Sequence, residues 1–409
     1  MTLATLPSQA AALDKVSSLD LPTKRDEAWR YAPHKSLANL TFGQGSMPSA
    51  VPGDVDAQIP ELDGPRIVLV NGVIDAERSD LSAVPAGVSF VGLADVPAAK
   101  APLLDQIHRS ADDAFSIINR AYGSGGALIQ VDGQPSLEGQ PAVLHIVDVL
   151  VPGQQQNAST SRVVIDVAAG SSVTVVETRI GSGEMFGGSN VRTEITLAEN
   201  ATVEHVILQD LPAAQFHIGR VDVTQAAGST LNARLFNLGA DYGRVAYHVH
   251  LTGEGAHADL SGLYFGFGTQ TLDQQVTVVH EAPNCTSRQS YRGVLDDSST
   301  GIWNGGVDVR PGADGTDSEQ SNDNLLLSKQ ADINTMPRLE ILADEVSCQH
   351  GATVGQLDET ALYYMRSRGI HEEEASKLLI NGFADQVMDD LENEVVRAWI
   401  TKRLGHDHE

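Results

Sequence analysis

The sequence predicts a mainly β protein whose central part coils as a solenoid and whose two ends are helical. Between residues 125 and 346, short runs of alternating apolar and polar side chains follow one another, for example at 163–167, 173–177 and 203–207. This period-2 alternation, rich in β-branched residues, is typical of strands. Long helical patterns are missing from this region and appear only in the flanking ones.

Turn residues recur in the central region at a nearly constant spacing. The middle residue of each turn is Gly or Asn, and successive ones are 30, 28, 27, 29 and 28 positions apart: Gly170, Asn200, Gly228, Gly255, Asn284 and Gly312. Gly and Asn are the residues that most readily adopt the left-handed backbone of a tight corner. The near-constant period indicates a solenoid in which each coil stacks on the previous one. A β-sandwich with evenly spaced turns is the alternative.

The N-terminal region, residues 1–122, is predicted to be a mixed helical domain that precedes a β-helix core at 123–348. Helices are expected over residues 8–18 and 103–121, the second ending at Gly123. Between them, residues 66–75 read RIVLVNGVID. Asn-Gly between two apolar runs is a strong signal for a β-hairpin.

The C-terminal region, residues 349–409, is predicted to be a helical domain. Asp358 can cap a helix that runs through Arg366 and ends at Gly369. A second helix is expected from about Glu372, with an apolar stripe at three- and four-residue steps formed by Leu378, Leu379, Phe383, Val387, Leu391 and Val395. A helical pair this small cannot bury both of its faces, so it either packs on the end of the solenoid or presents a groove to a partner.

The composition excludes several classes of function. Lys plus Arg number 27 and Asp plus Glu 54, a net charge of −27, so the chain lacks the basic face that binding to nucleic acid or to an anionic membrane requires. No secretion signal and no membrane-spanning apolar run are visible. Two cysteines exclude a disulfide scaffold and favour a reducing, cytoplasmic location.

The sharpest candidate site is Cys348-Gln349-His350. Residues two apart on an extended chain project from the same side, and a thiolate with an imidazole makes half of a soft metal site. The sequence contains no CxxC pair, and Cys285 lies 63 residues upstream. From the residues alone, Cys348 and His350 are either structural or share a metal with another chain. The alternating pair His248 and His250 is simpler to interpret as stacked or solvated.

Several segments resemble a known family. Residues 348–358 (CQHGATVGQLD) and 363–370 (YYMRSRGI) resemble the signature of the SufB/SufD family of iron–sulfur cluster assembly proteins, and further similar stretches lie at 280–287, 290–294, 316–317, 320–322 and 337–341. The EAWRY segment at 27–31, and Gly351 where SufB carries a glutamate, are similar to the SufD branch. The chain departs from the family pattern at Ala28, Ala32 and Gln349, where the family usually has Asp, Thr and often Ser.

The resemblance implies a right-handed parallel β-helix flanked by helical parts, and a scaffold subunit without catalytic activity. It implies pairing with SufB through the β-helix and docking of a SufC ATPase on the C-terminal helices, in an assembly of one SufB, two SufC and one SufD. The sequence contains no P-loop, so nucleotide is expected on SufC and not on this chain. The docking contact is assigned to Tyr363, Leu378, Leu379, Phe383 and Val387.

The resemblance also implies that His350, with Cys348 beside it, is a ligand for iron or for a transient iron–sulfur cluster shared with SufB. A β-helix edge that SufB covers is an open template, so a homodimer is an expectation for the isolated chain. Two other interpretations remain. One is a β-helix enzyme acting on polysaccharide, which the aromatic content of 5% disfavours, and the other is a purely structural solenoid.

Overall fold

The computed structural model describes residues 7–106, 113–123, 125–137, 140–154, 157–389, 391 and 393–404. The N-terminal part contains helices α1 (Pro7–Val16), α2 (His34–Leu37), α3 (Ala101–Gln106) and α4 (Ala114–Tyr122), and strands β1 (Arg66–Val70), β2 (Val73–Ile74) and β3 (Val88–Gly92). Three 3₁₀ turns lie at Glu27–Trp29, Asp56–Gln58 and Leu93–Asp95. None of the described helices has the length and apolar character needed to cross a membrane.

The central part consists of strands. They are β4 (Gly126–Val131), β5 (Ser136–Leu137), β6 (Gln140–Pro141), β7 (Val143–Leu150), β8 (Ala158–Val167), β9 (Ser172–Gly181), β10 (Gly187–Leu197), β11 (Thr202–Asp210), β12 (Gln215–Gln225), β13 (Thr230–Asn237), β14 (Tyr242–Leu251), β15 (His257–Gly266), β16 (Thr271–His280), β17 (Thr286–Leu295), β18 (Thr300–Val309), β19 (Asp317–Leu326), β20 (Asp332–Ile341) and β21 (Ser347–Gly355). The C-terminal helices are α5 (Glu359–Ser367), α6 (Glu372–Asp385) and α7 (Glu394–Arg403).

From β7 onward, successive strands alternate between two facing sheets. Sheet A has the order β2-β1-β7-β9-β11-β13-β15-β17-β19-β21, and sheet B has the order β20-β18-β16-β14-β12-β10-β8-β4-β3. Within this region each strand pairs in parallel with the strand two positions along the chain. The fold is therefore a parallel β-helix with helical ends, which confirms the predicted fold class. β1 and β21 join sheet A across the predicted domain boundaries at 122/123 and 348/349.

The six predicted corners are confirmed. Each has a positive φ: 69° at Gly170, 58° at Asn200, 64° at Gly228, 71° at Gly255, 57° at Asn284 and 87° at Gly312. An L-residue with an ordinary side chain is strained in this conformation, whereas Gly is not and Asn tolerates it. Gly or Asn therefore recurs in the sequence because the same left-handed backbone recurs at each corner. The predicted hairpin is also confirmed, with β1 and β2 antiparallel around Asn71 and Gly72.

The lumen between the sheets is the main core. It is filled by Val, Ile, Leu and Ala side chains from every coil, including Val163, Ile195, Val221, Leu231, Val245, Leu260 and Val278. One buried network interrupts it: the Glu177 carboxylate accepts hydrogen bonds from Arg179 Nη2 and from His205 Nε2, each at 2.8 Å. Burial raises the pKa of Glu177, but Arg179 and His205 outweigh burial and lower it. If one strand shifted its pairing by one residue, its side chains would turn to the other face of the sheet, and these buried charges would lose their partners. The network therefore favours the native register.

The two helical ends pack on opposite outer faces of the β-helix. Trp29 and Phe115, from the N-terminal part, pack against Phe216 and Ile218 on sheet B. The C-terminal helices lie on sheet A, where Ala384, Val387, Met388, Leu391, Val396, Trp399 and Ile400 pack against Val176, Val206, Leu208, Phe236, Leu263, Val294 and Leu325. The predicted apolar stripe thus covers the side of the solenoid, not its end.

Two predicted helices are divided in the structure. The helix expected over 103–121 corresponds to α3 and α4, because Asp113 is extended (ψ 160°) and its side chain caps a new helix at Ser116 N; residues 107–112 lie outside the described part. The helix expected from Glu372 to Val395 is interrupted in the same way. Asn393 is extended (ψ 106°) and caps α7 by accepting from Val396 N at 3.0 Å. The first helix, α1, agrees with the prediction.

We expect Gly170→Ala to lower the free energy of unfolding by about 1–2 kcal/mol, because Ala is strained at positive φ. A Cβ at Gly170 would contact nothing within 4 Å, so the loss reports backbone strain alone. Gly170→Asn is the matched control and should lose less, since Asn200 and Asn284 occupy equivalent corners. Urea unfolding followed by tryptophan fluorescence measures both variants. Equal losses for Ala and Asn would contradict the explanation.

Asp148→Asn should stabilise the protein more at high pH than at low pH. Burial raises the pKa of Asp148 to about 6, against the opposing effects of its Ser161 hydrogen bond and of Arg179. The folded state therefore retains a proton that the unfolded state releases near pH 4, and stability falls as pH rises through this window. The Asn variant avoids this loss, so its gain at pH 8 should exceed its gain at pH 4.5 by about 2 kcal/mol.

The control for this pH effect is Asp14→Asn, which changes an exposed carboxylate on α1. Its effect on the unfolding midpoint should be equally small at both pH values. A pH-independent gain for Asp148→Asn would show that packing, and not ionisation, is responsible.

Candidate functional site

The β-helix ends in two edge strands at its C-terminal end. Among the described strands, β20 pairs with β18 alone and β21 pairs with β19 alone, so each leaves one side of its backbone unpaired. Every residue of β21 except Cys348 is exposed. Apolar side chains are exposed there as well, with Ile341 41%, Leu342 53% and Val354 53% exposed. An unpaired parallel edge flanked by exposed apolar residues is a template for another chain.

Cys348 and His350 lie on this edge and face the lumen. Their register partners on β19 are Ser318 and Gln320, both 1% exposed in the interior, whereas Glu319 between them is exposed. Alternation along β21 places the two side chains on the same face, as the sequence predicts. Cys348 is half-buried against the apolar cluster around Val309, and His350 is exposed.

The lumen behind these two residues is polar. Side chains at paired positions of successive coils stack in columns along the lumen, and two of these columns end at Cys348 and His350. In the column that ends at Cys348, the hydroxyls of Ser318 and Ser287 are 2.9 Å apart, and Ser287 Oγ lies 2.9 Å from His280 Nε2. In the column that ends at His350, Gln320 Nε2 donates to Gln289 Oε1 at 3.1 Å. The sequence did not indicate these residues. They stack in these columns only because strands about 30 residues apart pair in this register.

Electrostatics keep Cys348 protonated in the isolated chain. Burial, and secondly the Asp317 carboxylate, raise the pKa of the Cys348 thiol. The Asp317 charge is partly compensated by Arg288, whose Nη2 lies 2.9 Å from it. Because a metal binds the thiolate, metal binding at Cys348 would release a proton.

Within the described part of the chain, no group of three or more His, Cys, Asp and Glu side chains is arranged to hold a metal ion. Cys285 is fully buried at its corner, and its thiol donates to the Gly253 carbonyl at 3.3 Å. His250 Nδ1 lies 2.7 Å from Glu281 Oε1, and burial lowers the pKa of His248 to about 3. Cys348 and His350 remain the candidate pair, two residues apart on the open edge strand.

The structure separates the predicted docking residues into two layers. Tyr363 is 74% exposed on α5 and Leu378 is 41% exposed on α6. Leu379 is half-buried, and Phe383 is half-buried beneath the Arg292 guanidinium, which lies 4.7 Å from the ring centroid. Val387 is buried in the contact with sheet A. The outer layer is available to a partner, whereas the inner layer holds the helix on the sheet.

A cavity of about 720 Å³ lies between the N-terminal part and the outer face of sheet B. Its floor carries arginines from three successive strands of the sheet, and each guanidinium is bound to a carboxylate: Arg192 to Asp222 at 2.9 Å, Arg220 to Asp222 at 2.9 Å and Arg244 to Asp273 at 2.5 Å. Asp222 is shared by two of the arginines, and Arg220 also contacts Asp113 at 2.8 Å, so every guanidinium named faces a carboxylate. The sequence did not indicate this cavity, because its lining comes from residues far apart along the chain.

The fold and its surfaces define a β-helix protein with an open end that carries a thiol and an imidazole, and with an exposed helical surface. Comparison with family models matches residues 150–383 to the core domain of SufB and SufD proteins of the SUF system for iron–sulfur cluster assembly. The chain belongs to the SufB/SufD family, which confirms the resemblance found in the sequence.

The relatives it resembles span nearly the whole chain. The chain is 29% identical to the iron–sulfur cluster assembly protein SufD of Escherichia coli, over 98% of this chain and 92% of that protein. It is 28% identical to a SufBD family protein of Synechocystis, over 93% and 86% of the two chains. It is also 28% identical to a SufBD family protein of Mycobacterium leprae, over 96% and 92%. Similarity to a SufD protein supports the assignment to the SufD branch.

Proposed function

We propose that this chain is the SufD-type scaffold subunit of an iron–sulfur cluster assembly complex. The observation that carries the proposal is the position of Cys348 and His350 side by side on the unpaired edge strand of a SufB/SufD-type β-helix. A half-site at an edge that accepts another chain is completed when that chain brings further ligands. The cluster is cargo in this scheme, held transiently by residues of two subunits.

The proposed partner at the open end is a SufB-type subunit. Edge strands β20 and β21 offer backbone groups for pairing, and Ile341, Leu342 and Val354 offer apolar contact. In the absence of this partner, the same surface could pair with a second copy of the chain, so a homodimer remains an expectation for the isolated protein. Pairing here would bring SufB ligands next to His350.

The proposed partner at the C-terminal helices is a SufC-type ATPase, docked through Tyr363 and Leu378, with Leu379, Phe383 and Val387 supporting the contact from below. This chain would act as a non-catalytic scaffold that binds no nucleotide, and ATP hydrolysis would belong to the partner. A cytoplasmic location fits the two free cysteines. Family membership favours this role over a polysaccharide-active enzyme or a purely structural solenoid.

A row of polar contacts supports mechanical coupling between the docking helices and the half-site. Arg292 on β17 donates to Gln386 Oε1 at the end of α6 at 2.5 Å and lies 3.7 Å from Asp323 on β19. Asp323 in turn accepts from Thr353 Oγ1 on β21 at 2.5 Å. A pull on α6 by the ATPase would therefore reach the strand that carries His350 and shift the interface with SufB.

His350→Ala should abolish most of the iron and sulfide bound by the complex, because it removes the exposed ligand without touching the core. The chain is co-expressed with SufB- and SufC-type subunits, the complex is reconstituted anaerobically with iron and sulfide, and visible absorbance and bound iron are measured. Gln349→Ala, on the same strand and the opposite face, is the matched control and should retain the cluster. Normal cluster formation in His350→Ala would overturn the ligand role.

Leu378→Glu should lower retention of the ATPase subunit on an affinity column at least tenfold, since it places a charge in an apolar contact. Its matched control is Leu81→Glu, because Leu81 is 42% exposed in the N-terminal part and Leu378 is 41% exposed. Both variants should retain the SufB-type subunit. Equal retention of the ATPase by the two variants would contradict docking on α6.

A further inference from the structure

Behind His350, two buried glutamines form a hydrogen-bond chain that runs into the lumen. His350, Gln320 and Gln289 occupy one column of sheet A, in successive coils. Gln320 and Gln289 are each 1% exposed. The coil before them has Leu260 in the same column, so the polar stretch starts two coils below the open end.

The donor-to-acceptor direction of this row of hydrogen bonds is fixed by the contact at its inner end. Gln289 Nε2 donates to the Gly306 carbonyl at 3.1 Å, and Gln320 Nε2 donates to Gln289 Oε1 at 3.1 Å. A backbone carbonyl can only accept, so Gln289 must turn its NH₂ towards Gly306 and its oxygen towards Gln320. Gln320 must then use its own NH₂ on that oxygen. Neither amide can be flipped without losing a buried hydrogen bond.

One acceptor is left over at the outer end of the chain. Gln320 Oε1 is buried and has no hydrogen-bond partner among the described residues. A buried carbonyl without a donor is destabilising. The neighbouring strand β21 places His350 directly above it on the same face, at the strand spacing of about 4.8 Å. His350 is therefore the β21 side chain placed to offer a ring N–H to this oxygen.

We propose that Gln320 is a positioning residue that selects the tautomer of His350. Gln320 Oε1 accepts one ring N–H, and the lone pair of the other ring nitrogen then points to the open end, where iron binds. Histidines that bind metals commonly donate their second ring N–H to a carbonyl or carboxylate. An amide provides this acceptor without adding a charge beside the cargo. The metal-binding half of this inference rests on the proposed function, whereas the tautomer does not.

Two other donors in this part of the lumen compete for the same oxygen. Trp303 Nε1 and the Gln274 amide are buried, and neither has a hydrogen-bond partner among the described residues. Both belong to sheet B, across the lumen from Gln320. Trp303→Phe removes the indole donor while preserving an aromatic ring, and Gln274→Leu removes the amide donor, so the two variants together separate His350 from both competitors.

The test is the imidazole ¹⁵N spectrum of the full-length chain labelled with ¹⁵N-histidine at pH 8, where the two neutral tautomers give distinct shifts. The chain has 13 histidines, and the His350 signals are those lost in His350→Asn. We expect one tautomer of His350 to predominate in the wild type, in Gln320→Glu, which keeps an acceptor, and in Trp303→Phe and Gln274→Leu. Gln320→Leu should give the tautomer mixture of an unconstrained histidine side chain in water.

A tautomer mixture at His350 in the wild type would overturn the proposal directly, even if Gln320→Leu failed to fold. An unchanged spectrum in folded Gln320→Leu would do the same. Titration with Co²⁺, followed by the loss of His350 signals, tests the second half: Gln320→Leu should weaken binding about 10–100-fold and Gln320→Glu should restore it. If one tautomer predominates but Co²⁺ leaves the His350 signals unchanged, the ligand role is refuted. The role of Gln320 in positioning His350 would then still be supported.

Discussion

The fold depends on one constraint, which is that each strand of a parallel β-helix is satisfied by the coils before and after it. The backbone groups of β19 are paired with β17 and β21, but β21 has β19 alone among the described strands. A solenoid built this way must end in an open edge unless another element covers it. Here the C-terminal helices pack on the side of sheet A, so the edge stays open, and Cys348 and His350 lie on it.

The lumen changes character where it approaches this edge. In the middle of the solenoid the inward columns carry Leu231 and Ala258, or Ala233 and Leu260, but the last two coils carry Ser287 and Ser318, or Gln289 and Gln320. Polar side chains in a core are costly unless they are paired. Their concentration behind Cys348 and His350 therefore fits a role at that end, because the same coils could have been filled with the leucines and alanines used below.

Local backbone requirements were readable in the sequence, and long-range pairing was not. Corners such as Gly170 and Asn284 were predicted because the left-handed backbone selects the residue type at a single position. The breaks before α4 and α7 were missed because Asp113 and Asn393 act as caps within patterns that look continuous. Cys348 and His350 could be paired from the sequence because both lie on one strand, and their role as ligands stays a prediction. The Gln320 chain and the cavity were missed because each joins residues that only the stacking register brings together.

Side-chain contacts connect the C-terminal helices to the coils near the open end. Because α6 and α7 are anchored on sheet A by Val387 and Trp399, a force on their exposed face acts on the sheet and not on a loose tail. Arg292 connects the end of α6 to the outer face of the last coils. Backbone hydrogen bonds on both sides hold the inner strands in place, whereas β21 is held on one side alone among the described strands. Displacement should therefore accumulate at the edge strand, which carries Cys348 and His350.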